Sequence, residues 1–218
     1  MIHALLEQYF PWYNTLSAER QVAFQQRVQL LIKGRQFKGR GGFVVTNAHK
    51  VLIGAAAAWV TRGVDKFYYP HFNLITVYPE AYFKLIAKRY HSDRVQLPGA
   101  AVVSWHNLEE EYTTQPMPFQ TLFHEFAHAV YFENVHESEG YADIDNAVLA
   151  QLQQDYAKRV VARLPDAAAP LVTATHHLPQ QFFAGASEWF FTHPVSQEEE
   201  ASSLYTWLQH VYQWPTAG

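Results

Sequence analysis

Cysteine is absent from the 218 residues, which removes disulfides, thiolate metal sites and thiol nucleophiles together. Any metal held by this chain must take histidine, carboxylate or carbonyl ligands. Long apolar runs are missing too: nowhere do about 18 apolar residues follow one another, so no membrane-spanning helix is expected. The start, Met1 to Glu7, carries neither a charged leader nor a long apolar h-region, and a soluble cytoplasmic protein is the expectation. Dense basic runs are also lacking. Sixteen Lys and Arg against twenty Asp and Glu leave a formal charge of -4, and nothing could track a phosphate backbone, so neither nucleic acid nor a membrane is expected as a partner. The one basic cluster, Lys33, Arg35, Lys38 and Arg40 among glycines, reads as a solvated turn.

What is abundant is apolar and aromatic: 49% of residues are hydrophobic and 16% aromatic, enough to bury one core. The expectation is a single domain over 1–218, with an α/β part at 1–115 and a helical part at 116–218 that carries the candidate metal site. Ser17 is placed to cap a helix bearing Val22, Phe24, Val28, Leu31 and Ile32, which stops near Gly34. Phe43 to Thr46 reads as a strand and the alanine-rich Val51 to Val60 as a buried helix. Phe72 to Tyr78 and Ala100 to Trp105 are two further strand candidates, each beside a proline. From Pro118 the period becomes helical. Phe119, Leu122, Phe123, Phe126, Ala127 and Val130 recur at spacings of three and four. Later helices are expected over Asp143–Leu164, Pro179–Phe191 and Ser202–Tyr212, with Pro165–Pro170 as a loop between two of them. The class is α+β, a small mixed sheet followed by helices.

Within the helix expected from Pro118 stands His124-Glu125-Phe126-Ala127-His128, an H-E-x-x-H pattern. At 3.6 residues per turn the two histidines lie one above the other and can direct ring nitrogens to one Zn²⁺. Glu125 sits beside that face, where its carboxylate can take a proton from a water acidified by the metal and pass it to a leaving amine. In a random chain of this composition the pattern would arise roughly 0.04 times. A metzincin requires a glycine and then a third histidine at positions occupied here by Tyr131 and Asn134, so that class is excluded. Glu133, Glu137, Glu139, Asp143 and Asp145 are available as a third ligand, although acidic residues after a helix more often solvate a loop.

Further on, Pro179-Gln180-Gln181-Phe182-Phe183-Ala184-Gly185-Ala186-Ser187-Glu188-Trp189-Phe190-Phe191 resembles a segment of the Mlc titration factor A (MtfA) family of zinc-dependent peptidases, written P-A-E-F-F-A-V-x-S-E-x-F-F. The likeness takes in L-S-x-E-R from Leu16, the Phe37/Gly39 turn, the alanine-rich helix, V-Y-P at Val77 to Pro79, and Leu204, Tyr205, Leu208 and Tyr212. The resemblance implies a zincin-like, gluzincin-like metallopeptidase domain with a zinc cofactor. It also implies aminopeptidase-like action on a peptide or protein segment, His124 and His128 as ligands, and Glu125 as general base. Where the family carries its metal-binding Glu, this chain has Gln181, whose neutral amide oxygen donates less charge than a carboxylate. Glu188, seven residues on and about 10 Å along the helix, stands as a partner behind a ligand or as an alternative ligand. His176 and His177, just before the helix, are the other substitutes. The family tends to carry a Tyr in that preceding run, a candidate to stabilise an oxyanion; Leu171 to Leu178 has none. Two functions follow: a zinc peptidase, or a degenerate zincin of weak or no turnover that serves as a binding or regulatory protein. No motif carries a contact to a regulatory protein partner. By analogy with zincins, Ala101 to Trp105 would form the edge of a substrate cleft through strand addition.

Overall fold

The computed structural model describes residues 1–64, 69–79, 100–106, 108, 119–136, 144–163, 178–192 and 203–214. In chain order these form α1 (Ile2–Tyr9), a 3-10 turn (Pro11–Thr15), α2 (Ala18–Lys33), β1 (Gln36–Gly39), α3 (Asn47–Val60), β2 (Leu74–Tyr78) and β3 (Ala100–Ser104). There follow α4 (Gln120–His136), α5 (Asn146–Arg163), α6 (Pro179–Thr192) and α7 (Ser203–Val211).

α2 begins where the sequence places it: the Ser17 side chain accepts from the Arg20 backbone N–H, Glu19 sits in the first turn and Lys33 in the last, each on the side the helix dipole favours. Its inner face, Phe24, Val28 and Leu31, packs on α3. α3 is buried from Val51 through Val60, because it lies among α1, α2 and α4. A β-carbon on Gly54 would stand 2.9 Å from Ile32 Cγ1, so the glycine permits the close approach of α2.

The strand expected at Phe43–Thr46 is not one. It is an extended lead-in to α3, with Val44 77% exposed, and the strand lies earlier, at Gln36–Gly39. Two physical causes explain the shift. Gly41 and Gly42 take positive φ values of 58° and 83° and turn the chain. Thr46 closes a capping box with His49, which starts α3 at Asn47, four residues ahead of the expected Val51. The basic cluster expected to be only a solvated turn is therefore in part β1, and Arg35 within it donates to the carbonyls of Leu31 and Tyr69 at 2.6 and 3.1 Å.

The three described strands order as β1-β2-β3 and are all parallel, not mixed as expected. Gln36 pairs with Leu74 and Leu74 with Ala100. A parallel neighbour requires a crossover, and α3 supplies it between β1 and β2. Ile75, Thr76 and Val77 in the central strand are all buried, as a sheet covered on both faces demands.

α4 packs against β3 on one side and α6 on another. Phe119 ahead of it adopts φ 78°, a left-handed conformation rarely taken by a bulky residue, and its buried ring stacks on Phe10 at 4.8 Å, which fixes where α4 begins. The chain end is tied back to the core. The Arg62 guanidinium lies between the rings of Trp59 and Trp214 at 3.7 and 3.5 Å, and Tyr212 donates to Ser187 Oγ on α6 at 2.7 Å. Buried apolar side chains from Leu6 to Tyr212 form one cluster.

Candidate metal centre

The H-E-x-x-H residues lie on α4, and α6 runs antiparallel beside it. Ring contacts give the direction: Phe123 meets Phe191 and Tyr131 meets Phe183, both at 5.8 Å. On α4 the apolar positions Leu122, Phe123, Phe126, Ala127 and Val130 are buried, so that face holds the helix to the core. His124 and His128 occupy the stripe turned to α6. Their Nε2 atoms converge to 3.2 Å.

From α6, residues 181 and 188 fall two turns apart on one face, and both reach the histidines. The Gln181 side chain lies near both imidazoles and raises the pKa of each. Glu188 Oε2 lies 3.0 Å from His124 Nδ1. A carboxylate only accepts, so the contact fixes a proton on Nδ1 and leaves Nε2 as the nitrogen that can offer a lone pair. His128 is buried, and its Nδ1 has no hydrogen-bond partner among the described residues.

The ionisation states follow from these surroundings. Burial, then the neighbouring His124, draws the His128 pKa down to about 3 against the raising effect of the nearby Gln181 side chain, so this imidazole is neutral at ordinary pH. At His124 burial also pulls downward, but the hydrogen bond to Glu188, the charges of Glu125 and Glu188, and the Gln181 amide prevail, and its pKa is raised. Burial pushes the Glu125 carboxyl up to about 7, partly offset by His124. A carboxyl poised there exchanges protons readily near neutrality.

The donor set fits a zinc ion. Two nitrogens each about 2.0–2.1 Å from one tetrahedral ion stand roughly 3.3 Å apart, close to the separation of the two Nε2 atoms, and the Gln181 side chain is near both rings. It is also a lean set: among the described residues no group of three or more His, Cys, Asp or Glu side chains converges to hold a metal.

The other candidates are placed elsewhere or lie outside the described residues. Glu133 is buried and engaged by His71, whose backbone N–H donates to Oε1 at 2.7 Å and whose Nδ1 lies 2.5 Å from Oε2. Asp145 caps α5, accepting from Ala147 and Val148. Glu137, Glu139, Asp143, His176 and His177 lie outside the described residues. Trp105 is buried, its ring 4.1 Å from that of His49. The sequence reading named every side chain of the cluster, yet it missed that one amide lies near both imidazoles and that His71 claims Glu133. Neither pairing has a local sequence signal, since each joins segments far apart in the chain.

A helix-borne histidine pair backed by a second helix, beside a small sheet, belongs to the class of zincin-like metallopeptidases. The family model described as glucose-regulated metallo-peptidase M90 matches residues 1–213. The chain belongs to that family, the MtfA family whose motifs it resembles. It is also 24% identical to the uncharacterized protein slr2042 of Synechocystis sp., over 96% of this chain and 82% of that protein. Among the described residues no helix is long and apolar enough to cross a membrane.

Proposed function

We propose that this single-domain protein is a zinc-dependent, aminopeptidase-like hydrolase of peptides or flexible protein segments, acting in the cytoplasm. The observation that carries this reading is the convergence of His124 and His128 Nε2 at 3.2 Å, with the Gln181 side chain near both rings. His124, His128 and Gln181 would hold the ion. When bound, zinc supplies Lewis acidity, which acidifies water and polarises a peptide carbonyl. Glu125, with its carboxyl near pH 7, accepts the proton of the attacking water and returns it to the leaving amine. β3, packed on α4, is the strand against which an extended substrate would lie.

A second reading has its own support. That no carboxylate joins the two histidines among the described residues favours a degenerate zincin, weak or inactive in turnover, that binds or regulates another protein. One set of measurements separates the two: zinc content of protein purified without chelator, followed by cleavage of chromogenic amino-acid amides and short peptides. With the peptidase reading, wild type hydrolyses amides, and Glu125→Gln lowers the rate by about 10²–10⁴-fold while still holding zinc. Protein that neither retains zinc nor becomes active when zinc is supplied ends that reading. Activity that appears only in Gln181→Glu supports the degenerate one.

A further inference from the structure

The three proposed donors, His124, His128 and Gln181, are all neutral when they coordinate, so a divalent ion among them keeps its full charge in a partly buried site. Such a charge is costly unless an anion stands close by. Glu125, the proposed base, is one such anion, and Glu188 is the one in contact with a donor ring. Its Oε2 meets His124 Nδ1 at 3.0 Å, and because Nδ1 and Nε2 lie on opposite sides of the ring, it works through the imidazole and not beside it. We propose that Glu188, acting through His124, supplies to the metal the negative charge that Gln181 does not, and thereby sets the metal affinity of this site. The inference rests on the metal-site reading above.

The physical route is short. A carboxylate accepting the Nδ1–H holds the ring in one tautomer and orientation and makes Nε2 more basic, an effect whose loss typically weakens a metal site 10–100-fold. The antiparallel packing of α4 and α6 builds this division of labour: Gln181 lies beside both rings, and Glu188, two turns on, stands behind His124 alone. With a carboxylate at position 181 the ion would already be part-neutralised, and Glu188 would matter less. The two positions should therefore be energetically coupled, which a purely structural Glu188 would not be. Glu188 is a positioning residue in this account.

The test is zinc affinity, measured by competition with a fluorescent chelator at fixed pH, for wild type, Glu188→Gln, Gln181→Glu and the double variant. Circular dichroism checks the fold and ¹⁵N resonances of the histidines report the Nδ1 contact. Glu188→Gln is expected to weaken zinc binding about 10–100-fold and to shift the His124 Nδ1 resonance without loss of helix. Gln181→Glu is expected to tighten binding and to shrink the cost of Glu188→Gln clearly. Wild-type affinity in Glu188→Gln overturns the proposal, as does an equal loss in both backgrounds. Should Glu188→Gln not fold, Glu188→Asp withdraws the carboxylate from Nδ1 instead, and undiminished affinity there overturns it equally. Absence of zinc binding in all four proteins, Gln181→Glu included, defeats the metal-site reading itself and the proposal with it.

Discussion

At the scale of single residues, three potential donors on α4, His124, His128 and Glu133, meet different fates because of what packs against each. His124 and His128 face α6 and converge. Glu133, five residues past His128, turns instead to the segment before β2, where its buried carboxylate accepts from the His71 backbone and lies against the His71 ring. Hydrogen bonds to a charged, buried acceptor are worth about 1.5–3 kcal/mol each. Glu133→Gln is therefore expected to lower unfolding free energy by roughly 1–3 kcal/mol in urea titrations while leaving zinc affinity as in wild type. A Glu133→Gln protein of full stability that had lost its zinc would place this carboxylate in the metal site after all. The residues of the H-E-x-x-H pattern were legible in the sequence because helical spacing alone aligns them. That Gln181 lies near the histidines was legible only through the family's motif, since which α6 side chain faces them depends on the rotation and direction of a helix more than fifty positions downstream.

At the scale of elements, the chain was legible where a boundary has a local cause and illegible where distant packing decides. Ser17 and Gly34 bracket α2 as expected, and Ala100–Ser104 and Pro179–Thr192 fall within a residue or so of their expected limits. α3 began earlier than its alanine run suggested because Thr46 and His49 cap each other, and the strand moved to Gln36–Gly39 because only there does β2 lie alongside. Losing the Thr46 cap by Thr46→Ala should cost about 1 kcal/mol in thermal or chemical unfolding, and no measurable cost would show that the box is dispensable. Gly63 answers to distance in sequence more strongly still. A β-carbon there would stand 2.2 and 2.4 Å from the backbone oxygens of Gln213 and Tyr212, so the C-terminal turn must move for Gly63→Ala to fold. The expected loss is about 2 kcal/mol or more, with faster proteolysis after α7 as the Trp59–Arg62–Trp214 stack opens. A Gly63→Ala protein as stable and protease-resistant as wild type would contradict the close approach.

At the scale of the whole molecule, the candidate centre joins helices from widely separated stretches of sequence. α4 rests on the parallel sheet, and α6 is anchored to the chain end through Ser187 and Tyr212. An ion held by His124 and His128 from one and Gln181 from the other would act as a crosslink across the core, which the unfolded chain cannot assemble. Ligand binding to the folded state alone stabilises by about 2.7 kcal/mol at a free zinc concentration one hundred times the dissociation constant. For a domain of about 200 residues each kcal/mol moves the melting temperature by about 2–4 °C, so zinc should raise that of chelator-treated protein by roughly 5–11 °C. His128→Ala, which removes a donor from α4, and Gln181→Ala, which removes the one from α6, should each reduce the shift, the first more than the second because imidazole is the stronger ligand. A zinc-induced shift that survives both substitutions would locate the metal somewhere other than between these helices. A shift abolished by His128→Ala and untouched by Gln181→Ala would make the site a property of α4 alone and remove α6 from it.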